Sequence, residues 1–136
     1  MGTASSSREE LALPWRSLRA IEEAEDMITE YVLFNLPAGI GRDEVVRGMH
    51  EVAPRWRANP ELIRKTFVHD PQTNQAGAFY LWPNRAAAQR AHDDAWRQRV
   101  FDTYGSEPVI RYFDTPLVVD NAIGQVIVAP TTAGTD

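Results

Sequence analysis

The sequence predicts an α+β domain with its helices on one face of an antiparallel sheet. Three observations carry that expectation. Short β-favouring segments alternate with longer stretches whose apolar residues recur at helical spacing, and Pro, Gly or Asn residues mark the joins. The segments follow the order strand, helix, strand, strand, helix, strand. None of them repeats another and none is of low complexity.

Met27 to Leu36 forms the first expected strand, with Tyr31, Val32, Leu33 and Phe34 continuous and β-favouring. Pro37 to Gly41 closes it as a turn. A helix follows from Arg42 to about Arg57, with Val45, Met49, Val52, Ala53 and Trp56 on one face. Asp43 and Glu44 in its first turn complement the helix dipole, and Pro54 is expected to kink or finish it. Leu62–Asp70 and Gln75–Trp82 make an antiparallel hairpin across the Pro71–Asn74 loop. Asn84 is the expected N-cap of a second helix, Arg85 to about Arg99, whose buried side follows Ala88, Ala91, Ala95 and Val100. The last strand spans Val109–Phe113, with an extension through Leu117–Val119 beyond Pro116. Together these give a ferredoxin-like β-α-β-β-α-β domain over residues 27–121. One sheet face then needs a cover, and a second subunit is the simplest.

Two extensions flank that domain. Residues 1–26 combine a flexible start, Met1 to Ser7, with a helical arm in which Leu11, Trp15, Leu18 and Ile21 recur at helical spacing around Pro14. Residues 122–136 form a C-terminal extension with a short strand at Gln125–Val128, either exchanged with a partner or ordered on its own subunit.

Composition narrows the function classes. Apolar residues at 43% and charged residues at 24% are ordinary for a globular chain. A net charge of −5 with no basic stripe argues against nucleic-acid binding. No apolar run reaches membrane-span length and no signal-peptide stretch opens the chain, so neither a membrane nor export is expected and a cytoplasmic location is the default. The absence of cysteine removes disulfides, thiolate chemistry and cysteine metal sites. There is no GxGxxG, P-loop or GxSxG, which leaves nucleotide cofactors and serine hydrolysis without support. His50, His69 and His92 come from three different elements without ligand-like spacing, so no metal is expected.

Two stretches go beyond a generic fold. Ala76-Gly77-Ala78-Phe79-Tyr80-Leu81-Trp82, followed by an alanine-rich helix, resembles the third strand and second helix of the YdhR-like monooxygenase family. Val109-Ile110-Arg111-Tyr112-Phe113-Asp114-Thr115-Pro116-Leu117 resembles its last strand and exit. The resemblance covers roughly Met27 to Asn121, and its motifs concern packing more than catalysis. It implies a dimeric α+β barrel, in which two sheets meet face to face and each subunit keeps a pocket between sheet and helices. Relatives include cofactor-independent antibiotic-biosynthesis monooxygenases, along with isomerases, dehydratases and haem enzymes. The arm before Met27 departs from that compact pattern.

The residues offer parts for such a pocket. His92 lies at helical spacing with Ala88, Ala95 and Trp96 and can act as a proton acceptor near neutrality; its ordinary alternative is a helix histidine that packs or caps locally. Asp93 beside it points elsewhere, and no dyad with it is expected. Tyr80 and Trp82 share one face of the third strand and Phe79 and Leu81 the other, so one set meets the helices and the other a partner. Arg111 shares a face with Val109 and Phe113, opposite Ile110 and Tyr112. It binds an anionic substrate oxygen or pairs with a carboxylate across an interface. Lys65 is either a pocket lysine or a solvated edge residue.

The resemblance and the aromatic content together suggest a cofactor-independent monooxygenase, working without metal or cofactor on a hydrophobic aromatic or polyketide-like small molecule. In that reading His92, Tyr80 and Arg111 are catalytic, and Trp82, Trp96, Trp56, Tyr112 and His50 bind substrate. Two other readings remain open: a non-redox cyclase, isomerase or dehydratase in the same pocket, and a non-catalytic binding or interaction protein. The partners expected are a second copy of the chain and the small molecule.

Overall fold

The computed structural model describes residues 27–129. The expected N-terminal arm lies outside the described residues, as does the chain beyond Ala129.

Four strands build the main sheet: β1 (Ile28–Asn35), β2 (Arg64–Asp70), β3 (Gln75–Trp82) and β4 (Val109–Asp114). Their spatial order is β2-β3-β1-β4, with antiparallel neighbours throughout. This is the ferredoxin-like arrangement the sequence predicts, and β1 takes a central place because its inward side chains are apolar with a single exception. That inner face presents Ile28, Glu30, Val32 and Phe34 from β1 and Ala76, Ala78, Tyr80 and Trp82 from β3. α1 (Arg42–Arg57) and two further helices, α2 (Arg85–Ala91) and α3 (Asp94–Tyr104), cover it. The core joins Val32, Trp56, Ala78, Tyr80, Trp82, Ala87, Ala88, Trp96 and Val100.

α1 lies as expected, with Val45 and Trp56 buried, and it runs through Pro54 to Arg57 rather than stopping there. The single helix expected over Arg85–Arg99 is instead two. Asn84 caps α2 as predicted, its Oδ1 accepting from the Ala87 amide at 2.8 Å. His92 then leaves helical geometry, at φ −118 and ψ 61. Asp93, with an extended backbone, caps a new helix by accepting from the Trp96 amide at 2.9 Å. An aspartate competes well for a free helix N-terminus, and this one starts the helix afresh. The break leaves Ala95 exposed instead of buried, and α3 runs on to a left-handed cap at Gly105, φ 76.

β4 does not extend past Pro116 in the same sheet. Thr115 still donates to the Met27 carbonyl at 3.0 Å, but Pro116 has no amide proton to continue the ladder. The chain turns away into β5 (Leu117–Asp120), which pairs with β6 (Gln125–Val128) as a separate antiparallel hairpin within the same chain. Ile127 of that hairpin packs with Met27 and Leu81 at one end of the sheet's outer face, and Arg64 is ion-paired to Asp120.

Gly77 marks the tightest approach in the sheet. A Cβ at this position would lie 1.8 Å from the Val32 carbonyl oxygen and 2.9 Å from the Leu33 Cα, both backbone atoms of β1. The clash is with a neighbouring strand and cannot be relieved by a side-chain rotation. Gly77→Ala should therefore cost about 3 kcal/mol of unfolding free energy in a urea titration. A change within about 0.5 kcal/mol, the range of an unconstrained surface site, would contradict this close approach.

Candidate active site

Side chains directly opposite one another on paired strands stand about 5 Å apart at Cβ. One register row of the inner face runs Lys65 (β2), Tyr80 (β3), Glu30 (β1), Tyr112 (β4). The next row towards the other end of the sheet is Phe67, Ala78, Val32 and Ile110, all apolar. All four positions of the first row carry a polar group, whereas the rest of the inner face is apolar except for His69 on β2 and Asp114 on β4.

Glu30 is the centre of that row, and its side chain is completely buried. A buried carboxylate must be met by donors, because each lone pair withdrawn from water carries a desolvation cost. The Trp82 indole donates from Nε1 to Oε1 at 2.8 Å, and Oε2 lies 2.9 Å from His92 Nδ1. The break between α2 and α3 brings His92 here, where Trp96, Tyr80 and Trp56 surround its ring at centroid distances of 4.1, 4.6 and 5.3 Å. His92 Nε2 is buried and has no hydrogen-bond partner. With Nδ1 engaged by a carboxylate, the second ring nitrogen is the one left to exchange a proton.

Two tyrosines feel the same carboxylate. Burial first, and then the Glu30 charge, push the Tyr80 hydroxyl far above its ordinary range, so it remains a proton carrier and hydrogen-bond donor. Tyr112 moves in the same direction, from burial and then Glu30, with the Arg85 guanidinium over its ring at 4.3 Å. At the far end of the row the Lys65 Nζ sits 4.0 Å from the ring centroids of both Trp56 and Phe67 and 4.7 Å from that of Tyr80. Burial, then the nearby Arg55 charge, bring the Lys65 amine down to about 7 against an upward pull from Glu30.

A solvent-open cavity of about 490 Å³ lies between this face and the helices. Trp56, Phe67, Tyr80 and Trp96 form its aromatic side with Lys65 among them, while α1 and α3 contribute apolar residues such as Val45, Val52 and Val100 and the charged Arg55 and Arg99. The volume falls in the range of small-molecule pockets.

The sequence candidates are distributed unevenly around this cavity. Tyr80, Trp56 and Trp96 line it. His92, Trp82 and Tyr112 stand one layer behind, gathered on Glu30. His50 is exposed on α1 and is not among the lining residues. Arg111 is on the opposite face of the sheet, exposed, with its guanidinium over Phe113 at 5.0 Å, and does not reach the cavity within this chain. Glu30, the group that organises the site, is absent from the sequence candidates. The available signal was its alternation with Ile28, Val32 and Phe34, which puts an acid on the buried face of a central strand. Among the described residues no group of three or more His, Cys, Asp or Glu side chains is placed to hold a metal ion, and no helix is long and apolar enough to cross a membrane.

Known proteins share this architecture. A Shewanella oneidensis protein superposes with a TM-score of 0.54 at 12% identity, covering 67% of this chain and 92% of its own. SnoaB, a cofactor-independent oxygenase from Streptomyces nogalater, superposes at 0.52 with 16% identity, covering 69% and 97%. The ActVA-Orf6 monooxygenase of Streptomyces coelicolor, solved with Nanaomycin D, does so at 0.52 with 12% identity, covering 70% and 92%. At these identities the likeness is one of fold. No curated protein matches by sequence. A family model described as "Putative mono-oxygenase ydhR" matches residues 32–114, from the middle of β1 to the end of β4. On that match, over more than half of its length, the chain belongs to the ydhR family of mono-oxygenase-like proteins.

Proposed function

We propose that the chain oxygenates a flat, hydrophobic aromatic molecule of polyketide type with molecular oxygen and without a bound cofactor. The observation that carries this reading is the buried Glu30–His92 pair set directly behind the aromatic wall of Trp56, Tyr80 and Trp96. The names of SnoaB and ActVA-Orf6 lend support from the same fold.

The chemistry is that of an electron-rich phenol. Removal of its proton gives a phenolate able to pass an electron to oxygen, and the resulting radical pair joins to form a carbon–oxygen bond. Loss of water completes the conversion: a naphthol and O₂ become a naphthoquinone and H₂O. Two atoms of oxygen are taken up, one staying on the ring and one leaving as water. His92 receives the proton at Nε2, while Glu30 fixes the ring through Nδ1 and is itself positioned by Trp82. The Tyr80 hydroxyl, kept protonated by burial, donates to the developing oxyanion. Trp56 and Trp96 stack on the substrate and keep water out of the inner end.

The same reading includes a second copy of the chain. On the outer sheet face Phe79 and Phe113 are each 42% exposed and Val109 is 57% exposed, while Tyr31 stacks on Phe79 at 4.6 Å. An apolar patch of this kind on a sheet favours pairing with another surface. Arg111 belongs to that face and serves the contact between copies rather than the cavity. Light scattering should give the mass of two chains, with Phe79→Glu shifting it to one; a single-chain mass for the unaltered protein would contradict the pairing.

Oxygen uptake with polycyclic phenols tests the chemistry. His92→Ala should lower the rate by about 100-fold or more, the usual share of a positioned proton acceptor. Unchanged turnover in that variant would remove His92 from the reaction. Full turnover under argon would replace the oxygenase with a non-redox cyclase, isomerase or dehydratase.

A further inference from the structure

Lys65 has no part in the oxygenase reading, yet among the described residues its setting is an unusual one for a cation. The full sequence holds fourteen Lys and Arg residues, and counting them gives thirteen arginines and a single lysine. That one lysine is the one whose Nζ sits among the rings of Trp56, Phe67 and Tyr80 in the wall of the cavity.

The choice of lysine has a chemical meaning. Arginine stays charged in any protein setting and serves as an anion clamp, whereas a lysine amine can be stripped of its proton by burial and then act through its lone pair. A fixed positive charge in the wall would be supplied as well by arginine, which the chain uses everywhere else. Among the described residues no carboxylate is ion-paired with Lys65. Arg55 of α1 and Glu30 of β1 act on it, Tyr80 of β3 lies beside it with His92 behind, and Glu44, Arg47 and Glu51 of α1 and Arg99 and Tyr104 of α3 line the same cavity. Burial together with Arg55 outweighs the pull of Glu30, and the amine is brought to about 7, where a large fraction is neutral at physiological pH. An amine activated by desolvation in an apolar pocket is a recognised nucleophile for carbonyl carbon.

We propose that Lys65 captures a flat aromatic aldehyde or ketone in this cavity as a covalent imine. The nitrogen lone pair attacks the carbonyl carbon to give a carbinolamine. The amine's two protons and the former carbonyl oxygen then leave as water, and a carbon–nitrogen double bond remains. No electrons are exchanged with any other reagent. The ring system lies against Trp56, Phe67 and Trp96, and the carbonyl carbon faces Nζ. This capture does not depend on oxygen or on the oxygenase reading, so either can fail without the other.

Reductive trapping tests it. The full chain, held under argon at pH 7.5, is treated with 2-naphthaldehyde and sodium cyanoborohydride, and the labelled position is mapped by peptide mass spectrometry. The absence of cysteine leaves no thiol to divert the aldehyde, and the N-terminal amine is the internal control. One naphthylmethyl group should appear on Lys65, about ten-fold or more faster than on a lysine in a short unstructured peptide, because the peptide amine is almost fully protonated at that pH. The trapping rate should rise with pH and level off above about 7, as the neutral amine becomes saturated. Lys65→Arg, checked for an unchanged circular dichroism spectrum and melting temperature, should carry label only at the N-terminus. Label confined to the N-terminus in the unaltered protein would overturn the proposal. So would a Lys65 rate that keeps climbing towards pH 10, as it does for an exposed lysine.

Discussion

A carboxylate with no exposure to water, on a central strand of the sheet, is the constraint from which the rest of this structure follows. Glu30 cannot be buried alone; breaking such a buried pair by removing one partner costs about 3–5 kcal/mol. Its two oxygens are met by the Trp82 indole and the His92 imidazole, and those contacts hold the inner end of β3 and the junction of α2 and α3 against β1. Register is pinned by the same group. A slip of one residue would turn Glu30 outward and put Tyr31 into the core, with every inward side chain of β1 reversed. The charge also reaches along its row, raising the hydroxyls of Tyr80 and Tyr112 and drawing the Lys65 amine upward against burial.

Two features of the helical layer turn this constraint into a site. The interruption at His92 and Asp93 frees the imidazole from the side of a continuous helix and lets it meet the sheet. The gap between α1 and α3 leaves the Lys65–Tyr80 end of the row open to a cavity, while Glu30 is fully buried and Tyr112, at the other end, is half-buried. The row therefore holds a buried imidazole, through Glu30, behind an aromatic wall and carries an amine within that wall. The outer face of the sheet carries no comparable chemistry. Its exposed Phe79, Val109 and Phe113 form the apolar patch on which the proposed pairing of two copies rests.

The fold was legible because it rests on local signals: alternation in β1 and β3, the helical spacing of Val45, Met49, Val52 and Trp56, and the Asn84 cap. The resemblance of two segments to the YdhR-like family reinforced those signals, and the family model confirms it. The helix break was hidden, because helix-forming residues stand on both sides of His92 and Asp93 and the capping power of Asp93 shows only once the chain has turned. Glu30 is masked by the continuous apolar run Tyr31–Phe34 that follows it, although its alternation with Ile28 and Val32 is visible in the sequence. Lys65 could be named but not placed: a lysine on an edge strand faces solvent or core according to what covers it, and that depends on α1. Arg111 was assigned by type, whereas its parity with Val109 and Phe113 already set it across the sheet from Tyr112.

The central claim is that Glu30 fixes His92 with its proton on Nδ1 and leaves Nε2 bare beside the cavity wall. Long-range ¹H–¹⁵N correlation spectra of the imidazole side chains measure this tautomer directly. With His92 neutral, its Nδ1 should show the shift of a protonated ring nitrogen held by a strong acceptor, and its Nε2 that of an unprotonated one. A proton found on Nε2, or rapid averaging between the two nitrogens as in free histidine, would contradict the account.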